Sequence, residues 1–252
     1  MSADGTLGDT DLTRDEFLGG RATLLQPRNG YRAGTDPVFL AAAVAAKPGD
    51  RVLDVGCGAG GASACLSARI DGLAIHGLEA QGTYAALARR NLPGATVWEG
   101  DLFEPPAGLK DVSFDWAMTN PPFFDAADIA SPDVGRDRAR RETADARDWI
   151  AACLKRVRGG GRIAVFHQAS RVPEIISGLN GAGDIAVLPL QSRAGREAKR
   201  VIVTARKGAK GPFRLLPSLT IHAGARHERD GDDYTEAAKA VLRDAAALPG
   251  CG

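Results

Sequence analysis

No stretch of this 252-residue chain stays apolar long enough to cross a bilayer, which argues against an integral helical membrane protein. The opening residues, MSADGTLGDTDLTRDEF, are acidic and polar, unlike a secretory signal or a transit peptide. Cysteine is scarce. Cys57, Cys65, Cys153 and Cys251 form no C-x-x-C pair and have no metal-ligand spacing, so they read as reduced thiols of a cytoplasmic protein with no metal site. Net charge is nearly missing too: 32 basic against 31 acidic residues leave +1, and the chain as a whole carries no polyanion signature. Internal repeats and low-complexity linkers are absent, and one domain is the economical reading.

What is present is an ordinary globular composition, 44% hydrophobic and 25% charged, in a chain long enough to bury a substantial core. Short apolar runs alternate with helical periodicity. RVLDVG (51–56), LAIHGLE (73–79), ATVWEG (95–100), FDWAMTN (114–120) and RIAVFH (162–167) read as strands. Helices are expected after the first strand to about residue 70, over TYAALARRN (83–91) and DARDWIAACLKRV (145–157), and over 171–179, with RGGG (158–161) as a helix stop. DIAVLPL (184–190) and KRVIVTAR (199–206) have only a loop between them and form a hairpin-like pair. This pattern predicts an α/β fold with a doubly wound, mostly parallel seven-stranded sheet, an antiparallel strand near its end and helices on both faces. TDPVFLAAAV (35–44) reads as a preceding helix, with Asp36 as N-cap and Pro37 in the first turn. PSLTIH (217–222) and a helix over 234–248 follow the sheet. Residues 1–20 are expected to be a flexible acidic N-terminus, and 21–252 a single domain with N- and C-terminal extensions.

VLDVGCGAGG (52–61) carries the strongest chemical signal. A strand enters a turn in which Gly56, Gly58 and Gly60 allow a tight bend and close approach of a ligand, and a helix start follows. Glu79 closes the second strand where ribose hydroxyls would need an acceptor. Gly56, Gly58 and Gly61 also satisfy G-x-G-x-x-G, so the loop alone leaves a nicotinamide dinucleotide open. Asp54, two residues ahead of the turn, favours a ligand with an ammonium group, and Asp101 of EGD (99–101) is placed to accept from an adenine amine. Acids at three successive strand ends suit a ligand that combines an amino acid, a ribose and an adenine. TNPPFF (119–124) then ends the fourth strand: Pro121 and Pro122 stop the ladder and fix Asn120 in extended geometry.

DVGCGAG, LEA, EGDLF and TNPPFF together resemble the Rossmann-like (class I) S-adenosylmethionine-dependent methyltransferases, and within them the amino-methylating branch marked by [Asn/Asp/Ser]-Pro-Pro-[Phe/Tyr/Trp]. QPRNGYRAGTDPVFLAAAV (26–44), RDRARRETA (136–144) and LTIH…DDYTEAAKAVL (219–242) resemble, more narrowly, the bacterial enzymes that methylate N6 of the adenine 3′ of the anticodon in a valine tRNA. The resemblance implies S-adenosylmethionine contacts by Thr35, Asp36, Asp54, Gly56, Cys57, Gly58, Gly60, Glu79, Ala80, Asp101, Leu102 and Asn120. It implies a catalytic set of Asn120, Pro121, Pro122 and Phe123. The chemistry fits that set. An adenine amine is a poor nucleophile because its lone pair is delocalised, and acceptors at the Asn120 side-chain oxygen and the Pro121 carbonyl would favour a pyramidal nitrogen. Phe123 would stack on the base, a contact worth about 1–3 kcal/mol.

Two basic runs bear on the acceptor. RDRARR (136–141) and 193–210, with seven basic residues and one acid, are each a solvated face or a phosphate-contacting patch. Arg138, Arg140, Arg141, Lys199 and Arg200 are the RNA-contact candidates. A tRNA is the expected partner, with no membrane and no obligate protein partner evident. Guanine N2 of ribosomal RNA, a protein glutamine and adenine in DNA are planar acceptors that the same motif would serve. A nicotinamide oxidoreductase and a non-catalytic RNA-binding protein are the alternatives of other classes.

Overall fold

The computed structural model describes residues 7–30, 32–121, 145–224 and 233–251. Chain order begins with an antiparallel hairpin, β1 (Leu12–Phe17) and β2 (Ala22–Pro27), in which Leu12 faces Pro27 and Phe17 faces Ala22. The expectation of a flexible tail over residues 1–20 is therefore corrected from Leu12 onward. Leu12 and Leu18 are buried, and polar groups fasten the rest: Arg32 pairs with Asp15 at 2.7 Å, and the buried Gln26 donates to Asp15 at 2.8 Å.

The central sheet is built from β3 (Arg51–Val55), β4 (Ala74–Glu79), β5 (Thr96–Glu99), β6 (Phe114–Thr119), β7 (Val157–Gln168), β8 (Ala182–Arg193) and β9 (Arg200–Lys207). Their spatial order is β8-β9-β7-β6-β3-β4-β5. Only β9 among these seven runs antiparallel to its neighbours. The expected sheet is present, with two short additions: β10 (Arg214–Leu215) and β11 (Leu219–His222) both pair with β8, parallel to it.

Successive residues of the inner strands face opposite sides, and each side has its own apolar layer. Val52, Met118, Phe166 and Ile202 pack with α1 (Asp36–Ala42), α2 (Gly61–Ser67) and α7 (Glu236–Leu242). Leu53, Val55, Val165 and Val203 pack with α4 (Ala107–Lys110), α5 (Ala146–Arg156) and α6 (Val172–Gly178). Helix α3 (Gly82–Asn91) lies against β4, β5 and β2.

Three local readings change. Thr35, not Asp36, is the N-cap of α1; Asp36 is its first helical residue and Thr35 O accepts from Val38 and Phe39 at 3.0 and 3.1 Å. RGGG is not a spacer after α5 but the start of β7, where the register slips between Phe114 and Trp116 of β6 and Gly160 takes φ +76°. The last helix ends at Leu242 rather than near 248. Beyond it the chain turns at Ala245 (φ +60°), and Leu248 N–H donates to Ala42 O at 2.8 Å, which seats Leu248 and Cys251 in the first apolar layer.

Candidate active site

In an open parallel sheet, ligands gather at the carboxyl ends of the strands. Register puts the predicted residues there: Val55 pairs with Leu78 and Thr119, and Glu79 with Glu99, so the chain leaves β3, β4, β5 and β6 side by side. The glycine turn has left-handed backbone at Gly56, Gly58 and Gly60 (φ +70°, +55° and +89°). Any side chain at Gly60 would also be obstructed, since a Cβ there would lie 2.7 Å from Leu92 Cδ1.

Glu79 is 8% exposed and locked from both sides. One carboxylate oxygen accepts from Gly58 N–H at 2.9 Å and the other from Gln81 N–H at 2.8 Å. The ribose acceptor proposed from sequence thus also fixes the glycine turn. Asp54 is fully enclosed and accepts from Ser63 Oγ of α2 at 2.8 Å. Burial pushes its carboxyl up to about 7, against the hydrogen bonds from the Ser63 side chain and backbone, with the Glu79 charge raising it further. Asp101 accepts from Phe103 N–H at 2.7 Å, a turn that leaves Phe103 exposed at the rim. Leu102 sends its side chain into the core between the sheet and α4, so only its backbone is available at the edge. Ala80 is half-buried in the turn from β4 to α3. Cys57 faces inward and fills the space above Gly77, where a Cβ would meet its sulfur at 2.8 Å; burial pushes the thiol well above the usual range, so it is no nucleophile.

The segment before α1 borders the turn. A Cβ on Gly61 would meet Ala33 at 3.2 Å and Pro37 at 3.5 Å, and Gln26 clamps Ala33 by accepting its N–H at 2.7 Å. Thr35 is exposed and Asp36 half-buried at this border. Burial raises the Asp36 carboxyl and the nearby Arg200 charge opposes that shift.

Asn120 follows β6, and its side-chain oxygen is buried without a hydrogen-bond partner among the described residues. Pro121 is buried. Pro122, Phe123, Arg138, Arg140 and Arg141 lie outside the described residues. An orphaned acceptor beside a glycine turn fits a ligand that brings its own N–H, since leaving such a group unpaired costs about 1–3 kcal/mol.

The basic run 193–210 is divided by strand β9. Lys199 (exposed) and Arg200 (half-buried) lie at the carboxyl edge of the sheet, because Arg200 pairs with Gln168 at the end of β7. Lys207 is at the opposite edge and caps α5, donating to Leu154 O at 2.9 Å and Val157 O at 2.6 Å. Arg206 beside it donates to Gly160 O at 3.0 Å. Arg193 is 9% exposed and pairs with Asp233 at 2.6 Å. Three of its seven basic residues, Arg193, Arg206 and Lys207, are therefore held in structural contacts.

Sequence reasoning passed over three supports. Asn91 pairs with Leu25 through both amide groups (2.9 Å each) and donates to Ala59 O at 2.8 Å, tying the N-terminal hairpin to the glycine turn. Thr119 and Trp149 link the strand ends beneath the site, with Trp149 Nε1 donating to Thr119 Oγ1 at 3.0 Å. An amide at a helix end and a tryptophan at a core position carry no mark of these roles in the sequence.

Comparison with known proteins agrees with this arrangement. Residues 33–137 match the family model of the methyltransferase small domain. The chain is 29% identical over 191 residues to the tRNA1(Val) (adenine(37)-N6)-methyltransferase of Aeromonas salmonicida, covering 72% of this chain and 79% of that one. It is 26% identical over 230 residues to the protein of the same name from Dickeya chrysanthemi, covering 86% and 88%. Among solved structures, a predicted O-methyltransferase from Agrobacterium tumefaciens superposes with a TM-score of 0.67 at 24% identity, over 84% of this chain and 98% of that one. A 16S rRNA N2 methyltransferase of T. Thermophilus, solved with AdoMet and guanosine, has a TM-score of 0.52 at 18% identity, over 78% and 50%. The resemblance drawn from the glycine and NPPF motifs is borne out, and the nicotinamide alternative falls.

Proposed function

We propose that this chain, a Rossmann-like S-adenosylmethionine-dependent methyltransferase, methylates N6 of an adenine in the anticodon loop of a valine tRNA. The observation that carries this reading is the buried, unpartnered oxygen of Asn120 at the end of β6. When bound, S-adenosylmethionine supplies a methyl group already activated by its sulfonium charge. The protein's part is then alignment. Glu79, fixed by Gly58 and Gln81, would offer its remaining lone pairs to ribose hydroxyls, and Asp101 would accept from the adenine amine. Asp54 would answer the ammonium group. Asn120 Oδ1 and the Pro121 carbonyl accept the two hydrogens of the acceptor amine, drawing its lone pair out of the ring. No strong general base is required, because the proton leaves after the nitrogen has become cationic. The tRNA acceptor is supported by the names of the relatives and by Lys199 and Arg200 at the same sheet edge as Asn120. A base in an anticodon loop is partly unstacked, so drawing it out costs less than in a duplex.

The test is nucleoside mass spectrometry. The purified protein, incubated with S-adenosylmethionine and unmodified valine tRNA, is expected to yield N6-methyladenosine. Absence of the product with cofactor binding intact would discard this acceptor and turn attention to guanine N2 and to protein glutamine.

A second expectation separates the two halves of the basic run. In tRNA binding measured from about 50 to 200 mM salt, Lys199→Ala should make the log–log slope shallower by about 1. Arg206→Ala, at the opposite sheet edge, should leave the slope unchanged. Equal slopes for wild type and Lys199→Ala would make Lys199 part of a solvated face.

A further inference from the structure

One buried side chain borders the glycine turn, the end of β6 and the loop after Asp101. Trp149, on α5, is 8% exposed, and its Nε1–H donates to Thr119 Oγ1 at 3.0 Å. Thr119, fully buried, donates in turn to Val55 O at 2.9 Å. A hydroxyl has one proton, so the direction is fixed: Trp149 gives to Thr119, and Thr119 gives to Val55. Val55 is the last residue before the glycine turn and Thr119 the last before Asn120. The indole also backs the turn itself, since a Cβ at Gly56 would lie 3.5 Å from its Cζ2. On its other flank it meets Phe103, two residues past Asp101, edge to face at 6.2 Å and 77°.

We infer that Trp149 and Thr119 are positioning residues that set the acceptor-holding Asn120 at a fixed offset from the cofactor turn. The inference rests on the methyl-transfer reading. Strand pairing alone holds two neighbouring chains in register only as far as the ladder runs, and both segments leave the ladder at these residues. The relay adds a side-chain tie at this last ladder pair, from Thr119 Oγ1 to Val55 O, and Trp149 anchors that tie to α5. In-line transfer tolerates little misplacement: a shift of about 1 Å costs about 10²-fold in rate. A relay that ties the two departing segments is therefore expected to act on turnover and not on cofactor affinity.

Trp149→Phe keeps an aromatic ring against Gly56 and Phe103 but removes the N–H donor. Thr119→Val keeps the shape and removes the hydroxyl. Each should lower kcat by roughly 10–100-fold on valine tRNA, with the Kd for S-adenosylhomocysteine, read by calorimetry, within about threefold of wild type. The double variant should be little worse than either single one, because one relay is broken in all three. Wild-type kcat in both single variants, with only a lower melting temperature, would make the relay simple packing and overturn the inference. A second measurement is independent of the acceptor. In 15N-labelled protein saturated with S-adenosylhomocysteine, the Asn120 side-chain amide resonance, assigned by its loss in Asn120→Ala, should shift in both variants while the Gly58 amide stays in place. An unmoved Asn120 resonance overturns the inference even if valine tRNA proves to be the wrong substrate; a moved one supports it in that same case.

Discussion

Asn120→Ala is expected to lower methyl transfer by roughly 10²–10³-fold or more, while S-adenosylmethionine affinity changes by no more than a few-fold. The physical argument starts from the orphaned oxygen. Asn120 Oδ1 is buried with no partner among the described residues, although buried carbonyl oxygens are nearly always satisfied. On the proposed reading, that deficit is removed when the acceptor amine arrives. Its hydrogen bond strengthens as the amine becomes cationic, so most of the benefit falls on the transition state and little on ground-state binding. Alanine removes the acceptor, and it also removes the cost of leaving that acceptor unpaired. The apo variant should therefore melt no lower than wild type. Single-turnover rates and calorimetry with S-adenosylhomocysteine, taken on the same preparations, check both halves. If transfer and cofactor affinity fall together by the same factor, Asn120 supports the cofactor instead of the acceptor and its assigned role is lost.

Legibility in the sequence followed periodicity. β3, β4, β6 and β7 are inner strands with apolar residues on both faces, and such runs are read directly from sequence. The hairpin β1–β2 was missed because LTRDEF carries three charges in six residues and is held by the Gln26 and Arg32 contacts, which depend on partners distant in sequence. RGGG misled for a related reason: glycines after a helix usually end an element, but here Gly160 takes positive φ inside a strand that slips register. The site residues that lie on short motifs, from Asp54 to Glu79 and Asp101 to Asn120, could be placed from order alone, since each is defined by the end of a strand. Their supports could not. Asn91 acts across to β2 and Ala59, and Trp149 acts across to β6, and no local pattern announces such pairings. The basic run 193–210 had an even composition, and only the antiparallel course of β9 divided it into one end beside the site and one end beneath α5.

Asp54→Asn should produce effects of opposite sign in the apo and the cofactor-bound protein. Burial holds the Asp54 carboxyl at about 7 in the folded chain, against an ordinary value of 3.8. Between these two pH values the folded state retains a proton that the unfolded state has released. The Asp54 contribution to apo stability therefore falls as pH rises from about 4 to about 7 and is level above that. Asparagine cannot ionise and can still accept from Ser63 Oγ, so apo Asp54→Asn should lose this slope and melt higher than wild type at pH 8. Cofactor binding is expected to reverse the preference. An ammonium group brought near Asp54 favours the carboxylate, so binding below pH 7 expels the proton and affinity rises with pH, by up to about tenfold per unit, until the group is ionised in the free protein. The variant should bind S-adenosylmethionine roughly tenfold or more weakly at pH 8, as loss of one close charge pair would give, and its affinity should not follow this profile. Calorimetry at pH 6 in two buffers of different ionisation enthalpy would detect the released proton in wild type and its absence in the variant. A variant that is stabilised when empty yet keeps wild-type affinity and pH dependence would leave Asp54 as a tie between β3 and α2, and the ammonium would need another partner at the glycine turn.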